Sequence, residues 1–301
     1  MRFEQRVVAC FQALAIGDAV GKQTETLSTA EVRRWYPDGI SGFHGRPGDV
    51  IPRYAGKRYQ WRIGETTDDT EQTFAVIRAI LRDHAVRHES VGRELLQCRK
   101  SLHPGVSLWN FIQHGDPAYV AVDGEGCGAA MRAAPVGVLY RTSQLDELRR
   151  AAYECAIATH GGQLAIDAAA AVAGAVSAAL EGQSPSDILA VALRAAGTTS
   201  TIAQSIERVH ADPSHQPFPD RPETIVPLAI SLALATRSAE QTTLIAANIG
   251  GDSDSVASIG SAIAGAIAPE TVNADWFKVV KTINPEYPWS DLLRDLCGSL
   301  S

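Results

Sequence analysis

The run Val256-Ala257-Ser258-Ile259-Gly260-Ser261-Ala262-Ile263-Ala264-Gly265-Ala266 carries no charge and no large polar side chain. A helix of this kind has no face suited to water, so the run predicts a helix buried on all sides. The rest of the chain must supply its surroundings. Immediately before it stands Asn248-Ile249-Gly250-Gly251-Asp252-Ser253-Asp254-Ser255. Two glycines lead into carboxylates spaced i, i+2 and a hydroxyl at i+3. Clustered oxygen donors at a glycine-rich helix start suit a hard divalent cation. Asp and Ser are also the favoured N-cap residues, and a cap is the simpler use of them. A cap needs one such residue, however, and four oxygen-bearing side chains follow one another here.

A second cluster has the same form. Thr66-Thr67-Asp68-Asp69-Thr70-Glu71 precedes the apolar run Phe74-Ala75-Val76-Ile77-Arg78-Ala79-Ile80-Leu81. Adjacent carboxylates repel, so Asp-Asp at a helix start calls for a compensating charge. The two clusters lie far apart in sequence and are expected to converge. Four Asp and two hydroxyls would then supply the ligands of a two-metal centre, with ions about 3.5–4 Å apart.

A chain of 301 residues can bury a substantial core without disulfide or metal staples. Its formal charge of −7, from 27 basic and 34 acidic residues, argues against non-specific nucleic-acid binding and against an anionic membrane surface. Five cysteines, an odd number with no CxxC pair, fit a reducing cytosol and predict a cytoplasmic protein. Residues 1–16 do not resemble a signal peptide. The Ala-rich stretch 164–180 comes nearest to a membrane span, but Asp167 interrupts it, and a buried helix is the expectation.

In chain order, Glu4 to Ala15 has helical spacing and runs into Ile16-Gly17-Asp18-Ala19-Val20-Gly21-Lys22-Gln23-Thr24-Glu25. Asp18 reads as a structural carboxylate bonded to loop amides. Glu25 falls in a flexible stretch suited to a catalytic base or a gating ligand. Residues 37–66 read as a long irregular segment, with Arg46, Arg53, Lys57, Arg58 and Arg62 giving it local positive charge. Phe74 to Leu96 is helical with a break near Asp83-His84, and residues 101–126 read as loop. In Gly124-Glu125-Gly126-Cys127-Gly128-Ala129-Ala130-Met131-Arg132, glycines before a helix can offer backbone N–H groups to an anion. Cys127 reads as a small core cysteine more readily than as a nucleophile. A helix over 145–158 ends at Thr159-His160. There His160 either meets substrate or caps the helix as a cation. Helices follow at 164–181, 186–196, 226–235, 242–247, 274–283 and 289–296, and 211–223 reads as a proline-rich loop. No sustained period-two alternation and no internal repeat appears, so the expectation is all-α, with no linker dividing residues 1–301.

Four motifs in order resemble the ADP-ribosylglycohydrolase family, of the dinitrogenase-reductase-activating-glycohydrolase type. They are Gly17-Asp18-Ala19-Val20-Gly21 with Glu25, Thr67-Asp68-Asp69-Thr70, Gly126-Cys127-Gly128-Ala129-Ala130-Met131-Arg132, and Gly250-Gly251-Asp252-Ser253-Asp254-Ser255. Thr159-His160 falls where the family has a Thr-His pair. The resemblance implies a single orthogonal all-α helical bundle with two divalent cations, Mg2+ or Mn2+. It implies Thr67, Asp68, Asp69, Asp252, Asp254 and Ser255 as metal ligands, and Glu25 matches an acidic residue near the metals in serine-type relatives; Asp69 or Glu25 is then the expected base. It places Gly126, Cys127, Gly128, Ala129 and His160 along an ADP-ribose cleft. Ser255 stands where many members have Thr, which keeps the hydroxyl. Cys127 stands where many have Asn, which weakens a donor.

The implied activity is hydrolysis of the glycosidic bond between ADP-ribose and an acceptor such as a protein arginine or serine side chain. Nucleic acid enters only as a modified substrate, and no membrane partner is implied. With cations bound, both Asp pairs are expected to be ionised at neutral pH. The competing readings are a non-catalytic ADP-ribose binder and a dinuclear-metal nucleotide phosphohydrolase.

Overall fold

The computed structural model describes residues 2–45, 61–100, 106–212 and 217–298. These contain sixteen α-helices and no β-strand. In chain order they are α1 Phe3–Gly21, α2 Thr29–Trp35, α3 Asp68–Asp83, α4 His88–Leu95, α5 Val106–His114, α6 Gly128–Met131, α7 Ala134–Leu139 and α8 Leu145–Ala156. There follow α9 Gln163–Leu180, α10 Pro185–Ala196, α11 Thr201–Ala211, α12 Pro222–Thr236, α13 Ala239–Ala247, α14 Ser253–Ile267, α15 Ala274–Ile283 and α16 Trp289–Gly298.

Helix α14 is the centre of the bundle, and every residue from Ser253 to Ala266 is buried. Small residues make that burial workable, because backbones can lie against it. A Cβ on Gly17 of α1 would stand 2.3 Å from the Ala257 carbonyl oxygen, and one on Gly21 would stand 2.5 Å from that of Ser253. Farther along the same pair, a Cβ on Gly265 would meet the Ala13 Cβ at 2.7 Å. The α1–α14 crossing therefore exists because glycine occupies both helices at the contact. The Arg6 guanidinium closes its far end by donating to the carbonyls of Ala266 at 2.5 Å and Ile267 at 2.8 Å. Those are the orphan acceptors of a helix C-terminus, where a cation is favourable.

Helix α9 forms the second layer, against α10, α7, α6 and α8. By length and composition it could cross a membrane, yet 78% of it is buried inside the protein. Its apolar surface is already used by neighbouring helices. All five cysteines are free, and all but Cys297 are buried.

Several boundaries differ from the sequence reading. Helix α1 does not stop at Ala15 but continues to Gly21, so Asp18 sits on a helix rather than in a loop. Glycine lowers helix propensity at 17 and 21, and packing against α14 overrides it. Helix α5 occupies part of the expected loop 101–126. Helix α11 and the short helices α2 and α7 lie in stretches for which no helix was expected. Helix α12 begins at Pro222 rather than at Val226. Pro222 takes the N1 position, where its missing N–H costs little, and Pro227 is accommodated inside the helix. The charged positions Arg46, Arg53, Lys57 and Arg58 lie outside the described residues. Arg62 is described, and it pairs with Glu65 and donates to the Ile283 carbonyl.

Candidate active site

Three walls meet at a cleft of about 590 Å3, within the usual size of a small-molecule site.

The first wall is the start of α3. Thr67 is its N-cap, and its hydroxyl accepts the Asp69 N–H at 3.2 Å. Asp18, fully buried on α1, fixes this turn from behind. Its carboxylate accepts the N–H groups of Thr67 (2.9 and 3.0 Å) and Thr70 (3.1 Å) and the Thr70 hydroxyl (2.5 Å). The bonded-carboxylate reading of Asp18 thus describes what it does, but the amides belong to a helix start some fifty residues away. Burial first, and then the charge of Asp254, raises the Asp18 pKa to about 6. The turn leaves Asp68 and Asp69 on the cleft, while Thr67 lies behind it, fully buried.

The second wall is the start of α14. Gly250 and Gly251 have φ of +87° and +67°, a region open to glycine at little cost. Added Cβ atoms would stand 2.3 Å from the carbonyl oxygens of Leu27 and Pro219 respectively. The Gly251 N–H donates to Leu27 O and the Asp252 N–H to Pro219 O, each at 2.8 Å, which ties two loops to this turn. The Ser253 hydroxyl donates to Gly21 O at 3.0 Å and locks α14 to the end of α1. Asp252, Asp254 and Ser255 are left facing the cleft. Asp252 occupies the N-cap position, yet its side chain makes no cap hydrogen bond. The simple cap reading therefore does not hold for it.

The two acidic walls act on each other. The Oδ1 atoms of Asp69 and Asp254 are buried with no hydrogen-bond partner. Ser255 Oγ donates to Asp69 Oδ2 at 3.4 Å. Burial, and then the charge of Asp254, pushes the carboxyls of Asp69 and Asp252 well above the usual range. Without cations, therefore, the protein's own field opposes the full ionisation expected from sequence. A buried carboxylate oxygen without a donor is costly, and a divalent cation is the partner that suits it. Among the described residues no group of three or more His, Cys, Asp or Glu side chains is arranged to hold an ion by itself. The donor set nevertheless fits a hard cation in chemical type: carboxylates from two walls, a hydroxyl, and two oxygens lacking partners.

The third wall is the 125–128 segment with His160. A Cβ on Gly128 would stand 2.7 Å from His160 Cε1, so glycine there is what lets the imidazole lie against the loop. His160 belongs to a chain that starts at the wholly buried Arg132. The guanidinium donates to Thr159 Oγ1 at 2.7 Å, and that hydroxyl lies 2.7 Å from His160 Nδ1. A hydroxyl that accepts from arginine has its own proton to give, so Nδ1 accepts and the network assigns the proton to Nε2. Burial first, and then the Arg132 charge, lowers the His160 pKa to about 3. His160 is neutral, and its reading as a cationic helix cap is corrected. Cys127 lines the cleft, and burial followed by the charge of Asp252 pushes its thiol well up, away from nucleophilic thiolate chemistry. Gly126 and Gly128 line the cleft as well, whereas Ala129 is fully buried in the main core behind it.

Three cleft residues, and a lysine behind the cleft, were not singled out from sequence. Gln72 Nε2 donates to Asp68 Oδ2 at 3.1 Å, and its Oε1 accepts from Arg132 at 2.7 Å. Its position four residues after Asp68, on the same helix face, was the available signal. Phe218 and Arg221 border the opening from a loop, with no local pattern to mark them. Lys22, 2% exposed, pairs with Glu25 and reaches Asp254. A lone lysine following a small apolar run was its only sign.

The ADP-ribosylglycohydrolase family model matches residues 1–300. The chain belongs to this family. An uncharacterized protein of Archaeoglobus fulgidus is 30% identical over 279 residues, covering 87% of this chain and 88% of the relative. The uncharacterized protein YegU of Escherichia coli K12 is 27% identical over 309 residues, covering 87% of each chain. A solved structure described as an ADP-ribosylglycohydrolase-related protein complex superposes with a TM-score of 0.76. It has 22% identity and covers 100% of this chain and 99% of its own, a likeness of fold. The fold is that of the ADP-ribosylglycohydrolases, all-α and single-domain. At the level of the family, the chain is a glycohydrolase acting on ADP-ribose linkages, in a family that is generally metal-dependent.

Proposed function

We propose that this ADP-ribosylglycohydrolase cleaves the bond between the anomeric carbon of ADP-ribose and a protein side chain or other acceptor, using divalent cations held at the two acidic walls. The observation that carries this reading is the pair of buried oxygens without partners, Asp69 Oδ1 and Asp254 Oδ1, in one cleft. Asp68, Asp69, Asp252, Asp254 and Ser255, with Thr67 behind them, would hold up to two ions, Mg2+ or Mn2+. Bound cations supply Lewis acidity, orienting sugar hydroxyls and lowering the pKa of water.

The remaining work falls to side chains. Asp69 is the better placed of the two candidate bases, since Glu25 is engaged by Lys22 while Asp69 Oδ2, the oxygen not assigned to a cation, is held only by Ser255 at 3.4 Å. It takes the proton from the attacking water as the sugar develops oxocarbenium character. His160 offers its Nε2–H to a substrate oxygen. Gln72 holds Asp68 in orientation. The Cys127 thiol shapes the wall and does not attack. The protein would act on ADP-ribosylated proteins or other modified molecules in the cytosol.

The test is release of free ADP-ribose from arginine-, serine- and nucleic-acid-linked substrates, with Mg2+, Mn2+ or EDTA. Metal-dependent release from one class is expected and would name the linkage. Cleavage of the pyrophosphate instead would make the chain a nucleotide phosphohydrolase. Binding of ADP-ribose without release from any substrate would make it a binding protein.

A further inference from the structure

Lys22 lies inside the acidic centre. It follows Gly21 directly, at the point where α1 ends against α14, and its N–H bonds the Asp18 carbonyl at 2.9 Å. The backbone there has little freedom, since a Cβ on Gly21 would stand 2.6 Å from Asp254 Cα. The side chain is 2% exposed. Its ammonium pairs with Glu25, stands 3.6 Å from Asp254 Oδ2, and lies 4.5 Å from the centroid of the Trp61 ring. This is a fixed, dehydrated cation, with carboxylates on one side and an aromatic face on the other.

The two central carboxylates are each half engaged by the protein. Asp69 Oδ2 accepts from Ser255, and Asp254 Oδ2 faces Lys22. The opposite oxygen of each is the one without a partner. These two oxygens are the ones left over for a divalent cation. A second divalent ion on the Oδ2 side of Asp254 would meet an ammonium already there, and like charges at that range repel strongly in a buried site.

We infer that Lys22 takes the place of one of the two cations, so that the centre binds a single divalent ion with a resident ammonium beside it. This rests on the metal-dependent reading above and narrows its ion count. Lys22 is a positioning residue: it holds Glu25 and Asp254 and sets how many ions the carboxylates admit.

The experiment counts ions. The full chain, stripped with EDTA and desalted, is titrated with Mn2+, and bound metal is read by electron paramagnetic resonance of free Mn2+ and by native mass. One ion per chain is expected for the wild type and for Lys22→Arg, and two for Lys22→Met. Two ions or none in the wild type, or an unchanged count in a helical Lys22→Met, would overturn the inference. If Lys22→Met does not fold, as judged by circular dichroism, the wild-type and Lys22→Arg counts decide, two ions in either being fatal. ADP-ribose release, assayed in parallel, separates the two claims. One bound ion without release removes the proposed reaction and leaves the role of Lys22. Release with two bound ions does the reverse.

Discussion

Asp69 and Asp254 each keep a buried oxygen with no partner, while Arg132, no less buried and with its Nε also unpartnered, donates through Nη1 and Nη2 to Gln72, to the carbonyls of Cys155 and Ala156, and to Thr159. None of the partners of Arg132 is a carboxylate. It stands at the C-terminal end of α8, where helix carbonyls supply partial negative charge, so neutral oxygens stabilise it. The acidic centre has a different balance. Burial, and then the charge of Asp254, pushes up the pKa values of Asp18, Asp69 and Asp252, and the Lys22 ammonium stands beside Asp254. One buried charge is internally compensated and serves the scaffold. The other is left undercompensated, and in the proposed reading an external cation completes it. Gln72 touches both, donating to Asp68 and accepting from Arg132.

The contrast can be broken most sharply at the acidic centre. Asp69→Asn should lower ADP-ribose release by about 10²–10⁴-fold. Its metal-free unfolding midpoint should be unchanged or higher, because a like charge has been removed. A large fall in that midpoint would show that Asp69 is structural. Arg132→Leu should do the opposite and destabilise the fold by about 3–5 kcal/mol, since it strands buried acceptors around a lost charge. Denaturant unfolding would read this, and a loss under about 1 kcal/mol would end the scaffold assignment.

Gln72→Met tests the link between the two regions. It should weaken metal affinity by roughly 10–100-fold through loss of the bond that orients Asp68. Titration calorimetry would show no change if Gln72 merely packs.

The last effect is on pH dependence. His160 has a folded pKa near 3 against an ordinary 6.5. Below about pH 6.5 the unfolded chain binds a proton that the folded chain does not. Stability therefore falls as pH drops from 6.5 toward 3, by at most about 1.4 kcal/mol per pH unit, and His160 adds no slope above 6.5. Unfolding of His160→Gln, compared with wild type between pH 7 and 4, should show this part of the slope removed. Parallel curves would mean that His160 is not buried as described.

Much of the site was legible because its chemistry is local. Thr67-Asp68-Asp69 and Asp252-Ser253-Asp254-Ser255 carry their oxygen donors within single helix turns, where spacing in sequence is spacing in space. Lys22 and Gln72 were not legible as functional. Each matters only through a partner brought in by packing: Asp254 comes from the far end of the chain, and Arg132 from beyond the next helices. Helix boundaries failed at the end of α1, read to stop at Ala15, and at the start of α12, where Pro222 was read as part of a proline-rich loop.

By itself the sequence determined that α14 must be buried, that two acidic turns open helices, and that the motifs belong together. Helical periodicity and side-chain chemistry are properties of short segments. Only the tertiary structure decided that Gly17 and Gly21 admit the backbone of α14, that Asp18 pins the start of α3, and that a lysine lies among the carboxylates. Those outcomes depend on close approach between distant segments, and a Cβ that is absent leaves no sign in sequence of what fills its space.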